Sequence, residues 1–200
     1  MKIIIIGAGL SGLSTAISLL KYLRPQLLAS NSTLELKIYD EARVKPAGEI
    51  DYSWHDHSDI RQQENKKKNQ GAAISLQANA FKVLRALDPR LAERVYASGL
   101  SCKGFTWEAA SGWVLGYEDL EAHLISRPVL VECLVGALPE GVVEYRTVDR
   151  VVVEEGNKPT VRFSDGGEES ADLVVGADGI RSPVRKALFG EAEEVRPKYL

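Results

Sequence analysis

The pattern of apolar and polar positions changes period near the N-terminus, and the change predicts a strand followed by a helix. Residues 3–6 are four consecutive isoleucines, a β-branched run without alternation that favours a strand buried on both faces. Apolar residues then recur at spacings of three and four, the period of an amphipathic helix, at Leu10, Leu13, Ile17 and Leu20. Because proline restricts the residue before it, this helix is expected to end near Arg24, before Pro25.

A second strand is predicted from the alternation over 34–39, ending at Asp40, with residues 25–33 as the connection before it. Strand, helix and strand complete a βαβ unit. Residues 43–70 have no apolar period and are rich in charged residues, prolines and glycines, so we predict a long exposed loop. The lysine run 66–68 is interpreted as a solvated tip of that loop, because nucleic-acid binding needs a wider basic surface.

Downstream of this loop the periods predict further helices and strands. Helices are expected at 80–87, around 91–95, from Pro128 to before Pro139, and at 180–189. Strands are expected at 72–76, in a region around Ser111 and Gly112, at 142–154, at 160–163 and at 171–176. The turn formers of 155–159 predict that the strands 142–154 and 160–163 pair as an antiparallel hairpin.

Composition and charge narrow the class of protein. The 200 residues are 44% hydrophobic with a formal net charge of −3, as in ordinary globular chains. Without a basic surface no nucleic acid is expected, and a small-molecule substrate is the predicted partner. Glycines interrupt the apolar N-terminus, so neither a membrane span nor a signal segment is predicted. Two cysteines without C-x-x-C spacing, Cys102 and Cys133, fit a reducing compartment, and we expect a cytoplasmic protein.

A glycine motif lies between the first predicted strand and helix, in the pattern G-x-G-x-x-G. Gly7 permits a tight turn, Gly9 lets the backbone approach a pyrophosphate, and Gly12 lets helix and strand pack closely. A strand-to-helix turn without a ligand is the alternative. The candidate cofactor-binding residues of this segment are Gly7, Ala8, Gly9, Leu10, Ser11 and Gly12.

Asp40 is the candidate partner of this motif at the end of the second strand. Its carboxylate can accept hydrogen bonds from both ribose hydroxyls of an adenosine moiety, and its charge would repel a 2′-phosphate. Asp40 follows Gly12 by 28 residues, more than the roughly 20 of the usual fingerprint. The connection 25–33 explains the excess. NAD and FAD sites share this pattern, so a second motif has to decide between them.

That second motif is Asp178-Gly179, within the segment DLVVGADGIRSPVR at 172–185. A hairpin turn is the simpler interpretation of Asp-Gly, but it suits Asp165-Gly166 better, because Asp178-Gly179 joins a predicted buried strand to a helix start. The segment resembles the DG motif of the group A flavoprotein monooxygenases, the family of the p-hydroxybenzoate and salicylate hydroxylases. Residues 71–84 and 126–130 are similar to two weaker motifs of that family, so the resemblance covers residues 1 to about 190.

The resemblance implies an α/β fold, with a Rossmann-like FAD-binding parallel sheet and an inserted or appended antiparallel β-hairpin layer, incomplete at the C-terminus. It implies FAD as cofactor and NAD(P)H as transient reductant. The family's arginine reaches the flavin, so Arg127 is a candidate ligand, with pairing to surface acids as its alternative. Asp178 and Gly179 would lie near the pyrophosphate or ribitol. The family commonly has Glu-Arg where this chain has Asp40-Glu41, which puts the arginine's contact on the adenine side in doubt.

The activity that the resemblance implies is oxidoreductase chemistry, in which a flavin-dependent monooxygenase uses NAD(P)H and dioxygen to hydroxylate a small aromatic substrate. The family's second FAD motif does not occur before Leu200, so residues 1–200 are expected to be the N-terminal portion of an FAD-binding domain, with the substrate domain largely missing. Two alternatives stay open. One is another flavoenzyme with the same N-terminus, such as a prenyl reductase or epoxidase, and the other is a truncated, non-catalytic nucleotide-binding module.

The remaining clusters of polar and aromatic residues do not predict a particular site. The acids and histidines of residues 51–59 lack a regular element to hold them, so no metal site is predicted. Trp107 and Trp113 suit a core position or, alternatively, an aromatic substrate site. No side chain is singled out as a catalytic acid, base or nucleophile, and the sequence leaves the oligomeric state open.

Overall fold

The computed structural model describes residues 1–41 and 73–190, and of Arg181 only the backbone. The chain forms two compact units: residues 1–43 with 138–200, and residues 44–137. The exposed loop predicted over 43–70 lies outside the described residues. Among the described residues, no helix has the length and apolar character needed to cross a membrane.

The first unit contains a parallel and an antiparallel sheet with their helices. In chain order its elements are β1 (Lys2–Ile6), α1 (Leu10–Ser18), α2 (Arg24–Ala29), β2 (Glu35–Asp40), then β6 (Val143–Tyr145), β7 (Val148–Val152), β8 (Thr160–Phe163), β9 (Glu168–Ser170), β10 (Leu173–Gly176) and α6 (Pro183–Phe189). The second unit contains β3 (Ala73–Leu76), α3 (Ala78–Leu87), α4 (Pro89–Ala97), β4 (Leu100–Glu108), β5 (Val114–Ser126) and α5 (Arg127–Val135).

The parallel sheet has the strand order β10-β1-β2-β6. Its centre is β1, whose isoleucines at 3–5 are fully buried, as their unbroken apolar run predicts. Ile3 to Ile6 pair in register with residues 173–176 of β10, and Lys2 to Ile6 pair with residues 35–39 of β2. The predicted α/β class with a parallel sheet is therefore confirmed, and the predicted antiparallel layer is found as two separate antiparallel sheets.

The first helix does not end before Pro25, and that prediction is wrong. A π-helical turn over Leu19–Leu23 follows α1, and α2 continues from Arg24 to Ala29 with Pro25 in its first turn. A proline is tolerated in the first turn of a helix because the N–H that it lacks would have no intrahelical partner there. The π turn resets the hydrogen-bond register, so the chain stays helical through most of the predicted connection.

The strand predicted over 142–154 is divided between two sheets. Its first part, β6, pairs in parallel with β2, while its second part, β7, pairs antiparallel with β8. The backbone leaves the parallel sheet at Arg146, whose N–H donates to the Asp40 carbonyl over 2.7 Å. The predicted hairpin with 160–163 is present, but only β7 contributes to it. A third strand, β9, which was not predicted, extends this sheet to the order β7-β8-β9.

The antiparallel sheet and the parallel sheet share one apolar core in the first unit. Ile4, Ile6 and Tyr39 of the parallel sheet lie in the same buried cluster as Val161 and Phe163 of β8. The rings of Tyr39 and Phe163 meet edge to face with their centroids 4.7 Å apart. Burial of this apolar surface fixes the small sheet against one face of the parallel sheet.

Polar contacts join the same two sheets at the edge of this core. The Tyr39 hydroxyl donates to Glu169, and the Lys2 ammonium lies 2.5 Å from Glu169 and 3.1 Å from Glu35. Burial, with the nearby carboxylate of Glu169, raises the pKa of Tyr39. Burial alone would raise the pKa of Glu169, but hydrogen bonds from Lys2 and Tyr39 outweigh it and hold that pKa below its usual range.

Acidification is expected to weaken the first unit through Asp165. Its carboxylate accepts two hydrogen bonds of 2.7 Å from Arg146 and one of 2.9 Å from the Gly167 N–H. These bonds lower the pKa of Asp165 from its usual 3.8 to about 2. A carboxyl group with a lowered folded-state pKa stabilises the fold above its unfolded pKa, and the stabilisation is lost as pH falls through the folded value.

Urea unfolding between pH 4.5 and pH 2 measures this contribution. The pair is exposed, so we expect a small extra fall in the urea midpoint of the wild type that Asp165→Asn lacks. Glu168→Gln, which removes a neighbouring carboxylate 2.7 Å from Arg162, is the matched control and should keep the Asp165 contribution. Equal pH dependence in wild type and Asp165→Asn would contradict this assignment.

The second unit packs α3, α4 and α5 with a sheet of order β3-β5-β4. The β-like region predicted around Ser111 and Gly112 is the hairpin of β4 and β5, but these two residues themselves form its turn. Trp107 and Trp113 are 51% and 77% exposed in this hairpin, so the core interpretation of these tryptophans is wrong. His123 of β5 is buried instead, with its ring stacked on Tyr96 at 4.6 Å.

Candidate functional site

The candidate site is the carboxyl edge of the parallel sheet, where β1, β2 and β10 end side by side. The Gly7 N–H donates to the Tyr39 carbonyl, and the Ala177 N–H donates to the Ile6 carbonyl, each over 2.7 Å. The glycine motif and the DG motif are thus brought together, although some 170 residues of sequence separate them. Ligands of open α/β sheets bind at this edge.

Two glycines of the motif are required by the packing of the protein itself. Gly7 has a φ of +105°, and a Cβ there would lie 2.3 Å from the Ala177 carbonyl oxygen. A Cβ on Gly12 would lie 1.9 Å from the Gly7 carbonyl oxygen. Both distances are far below van der Waals contact, and the opposing atoms belong to the backbone. Gly7 and Gly12 therefore serve the tight turn and the close helix packing that their spacing predicts.

Gly9 differs from both, because no contact among the described residues requires it to be glycine. Its φ of −76° suits any residue, and a Cβ there would have no atom of residues 1–41 or 73–190 within 4 Å. Gly9 is the N-cap of α1 and provides no side chain to cap the first-turn N–H groups. Open space in front of a helix N-terminus with uncapped N–H groups fits an anion such as a pyrophosphate.

Leu10 and Ser11 begin α1 directly behind this space, and Ser11 is exposed. The Ala8 N–H between the glycines donates to the Asp40 Oδ2 atom over 2.6 Å. Asp40 therefore ties the end of β2 to the glycine turn, which the sequence did not predict. Asp40 lies at the same edge as the glycine turn, and its contact with a ribose stays a prediction.

The DG motif forms the other wall of the edge. The Asp178 Oδ2 atom accepts a hydrogen bond of 3.2 Å from the Val184 N–H, and Ser182 accepts one of 2.9 Å from the Arg185 N–H. Both side chains thereby cap the start of α6. Gly179 has a φ of +76°, and a Cβ there would meet no atom within 4 Å in the part of the chain that the structure describes. Asp178 thus has a structural role, while the predicted position of Asp178 and Gly179 near the pyrophosphate or ribitol stays a prediction.

Two further residues of this wall were not predicted as part of the site. The Ala177 backbone limits the space at Gly7, and a Cβ on Gly176 would lie 2.8 Å from the Val184 Cβ atom. Gly176 therefore permits close packing of α6 on β10, as Gly12 does for α1. The sequence does contain a signal for these residues. The segment from β10 to α6, like the segment from β1 to α1, is an apolar run followed by glycines and a helix.

Arg127 lies in the second unit, as the first residue of α5 after β5. It is exposed, and the following Pro128 occupies the first turn of the helix. Arg127 therefore stands at a helix start, while its contact with a cofactor stays a prediction. No group of three or more potential metal ligands occurs within 1–41 and 73–190, and the acids and histidines of 51–59 lie outside those ranges.

Comparison with known proteins identifies relatives of this chain. No family model matches the chain. It is 31% identical over 141 residues to the chloroplastic zeaxanthin epoxidase of Oryza sativa subsp. japonica, covering 63% of this chain and 21% of that protein. It is 28% identical over 207 residues to 3-amino-4-hydroxybenzoate 2-monooxygenase PtmB3 of Streptomyces platensis, covering 99% of this chain and 43% of that protein.

Solved structures share the fold. HpxO of Klebsiella pneumoniae, complexed with FAD and uric acid, superposes with a TM-score of 0.63 at 23% identity, covering 93% of this chain and 41% of that one. FqzB superposes with a TM-score of 0.69 at 19% identity, covering 96% and 39%. The homologues are FAD-dependent monooxygenases, so the resemblance seen in the motifs is confirmed. The chain spans about a fifth to two-fifths of the length of these relatives.

Proposed function

We propose that this chain binds FAD and is the N-terminal portion, residues 1–200, of the FAD-binding domain of a monooxygenase that hydroxylates a small aromatic substrate with NAD(P)H and dioxygen. The observation that carries the proposal is the difference among the three motif glycines. Packing within the protein explains Gly7 and Gly12, whereas Gly9 borders open space before the uncapped start of α1. A bound pyrophosphate explains that third glycine.

Each residue of the edge then has a role toward FAD. The first-turn N–H groups of α1 would bind the pyrophosphate, and Asp40 would accept hydrogen bonds from the adenosine ribose. The DG motif would bound the site from β10, with Asp178 holding α6 and Gly179 leaving room near the pyrophosphate or ribitol. Arg127, from the second unit, is proposed as a further flavin ligand on the basis of the family motif alone.

When bound, FAD supplies the redox chemistry, in which it takes electrons from the reduced nicotinamide and activates dioxygen. The contribution of this chain is to bind the cofactor and to orient it. No described side chain is assigned as an acid, a base or a nucleophile. Hydrogen-bond donors from α1 and an acceptor from β2 fix the dinucleotide at two points, which is what orientation requires.

The substrate class rests on the relatives. One is named for an aminohydroxybenzoate, and a structural neighbour was solved with uric acid, so ring hydroxylation is the reaction that we favour. Epoxidation is the second candidate, because zeaxanthin epoxidases are also among the relatives, one of them at 32% identity over 141 residues. NMR of the products separates the two reactions: both add one oxygen and the same mass, but a hydroxyl oxygen is bonded to one ring carbon, whereas an epoxide oxygen bridges two carbons.

The proposed cofactor is tested directly on the purified protein. Heat-released cofactor is identified by chromatography, and protein stripped of it is titrated with FAD and with NAD. We expect FAD to co-purify or to rebind with a visible flavin absorption band, and NAD to bind far more weakly. Retention of NAD without FAD would overturn the flavin assignment, and a folded protein that binds neither would overturn the proposed function.

A further inference from the structure

We infer that Tyr145, at the end of β6, is the platform on which the adenine ring of the cofactor stacks. The inference rests on the proposed function, because it concerns the far end of the same dinucleotide. The prediction of a ribose contact at Asp40 leaves the adjoining base without a partner, and Glu41 stands where the resembling family commonly has an arginine. Tyr145 fills that role from the neighbouring strand.

The strand order places the parts of the cofactor in sequence along one edge. The sheet runs β10-β1-β2-β6, so β2 lies between β1 and β6. The glycine turn after β1 is the pyrophosphate site, and Asp40 at the end of β2 is the ribose site. Adenine is attached to that ribose on the side away from the phosphates. The next strand in that direction is β6, about 4.8 Å further along the sheet.

Register and side-chain direction place Tyr145 beside Asp40. Asp40 and Tyr145 are Cα partners in the parallel ladder, and the Arg146 N–H donates to the Asp40 carbonyl over 2.7 Å. Partners in a parallel ladder present their side chains on the same face. The preceding residue, Glu144, faces the other way, since it contacts Lys37 on the opposite face. Tyr145 therefore shares both the face and the edge with the predicted ribose acceptor.

The Tyr145 ring has the exposure that a stacking platform needs. It is 45% exposed, so one part is held by the sheet while the rest is open to a ligand. An aromatic face stacks on a purine without needing charge, which suits a site where Glu41 offers no cation. The phenol hydroxyl is not required for this contact. The ring, rather than the hydroxyl, is therefore the determinant that the experiment has to isolate.

The test compares Tyr145→Val with Tyr145→Phe by calorimetric titration with FAD and with ADP. Valine removes the ring but keeps a residue that favours an edge strand, and phenylalanine keeps the ring without the hydroxyl. We expect Tyr145→Val to bind both ligands about tenfold more weakly, by a similar factor, because the lost contact lies in the half that FAD and ADP share. Tyr145→Phe should stay within about threefold of wild type.

Tyr22→Val is the matched control, because Tyr22 is 52% exposed and lies on the π turn beyond the far end of α1. Unchanged affinity in Tyr145→Val, with circular dichroism showing a folded protein, would overturn the inference and leave the proposed function standing. Tyr145→Phe as weak as Tyr145→Val would also overturn it, since the hydroxyl would then carry the contact. Wild type that binds neither FAD nor ADP would overturn the proposed function itself.

Discussion

Gly9→Val is expected to weaken FAD binding at least about a hundredfold, or about 2.7 kcal/mol, while the protein stays folded. The valine side chain would enter the open space before α1, where a Cβ on Gly9 has no atom of the described part of the chain within 4 Å. A pyrophosphate held by the first-turn N–H groups would occupy the same space. Loss of glycine at the helix N-cap costs about 1 kcal/mol of stability, which leaves the fold intact.

The measurement is a titration of cofactor-free protein with FAD, followed by visible absorption, alongside thermal unfolding. Gly116→Val is the matched control: Gly116 is also surrounded by open space, has no positive φ and lies in β5 of the second unit. It should retain wild-type affinity. If Gly9→Val binds FAD as tightly as wild type does, the pyrophosphate does not lie at the start of α1.

Gly12→Ala is expected to destabilise the protein by about 3 kcal/mol or more, although it replaces a helical glycine by the best helix former. Propensity alone would favour alanine by about 1 kcal/mol. The new Cβ, however, would lie 1.9 Å from the Gly7 carbonyl oxygen, a backbone atom that belongs to a turn with φ of +105°. This overlap is too large to be relieved by small atomic shifts, so the steric clash outweighs the gain in helix propensity.

Urea unfolding of Gly12→Ala against Gly9→Ala measures this effect in two substitutions of the same kind, three residues apart. Gly9→Ala should lose only about 1 kcal/mol, as expected at an N-cap. The comparison also separates the role of Gly12, which is close helix packing, from the proposed role of Gly9, which is to leave space for the pyrophosphate. Gly12→Ala with wild-type stability would mean that α1 and the turn do not pack as closely as described.

Elements set by local sequence were predicted well. The isoleucine run, the helical spacing after Leu10 and the alternation before Asp40 each depend on neighbouring residues, and β1, α1 and β2 are found there. The glycine motif was placed correctly for the same reason, since turn, cap and helix start are all local features.

The remaining features depend on partners distant in sequence. Pro25 continues a helix because a π turn precedes it, and local rules do not predict such turns. The strand over 142–154 divides because its first part pairs with β2, which lies about a hundred residues earlier in the chain, so residues 142–154 alone do not predict the division. The hydrogen bond from Ala8 to Asp40 and the contact of Gly7 with Ala177 likewise follow from the order of strands in the sheet.

The pairing of β1 with β10 sets when this site forms during synthesis. The glycine turn is shaped by the Ala177 backbone, so the loop between β1 and β10, some 170 residues long, must close before the turn has its final form. At about 5 to 20 residues per second, a ribosome takes roughly 10 to 35 seconds to make that length. Until β10 has been synthesised, β1 of the nascent βαβ unit therefore lacks one of its two strand partners. The cofactor is expected to bind only after β10 has emerged from the ribosome.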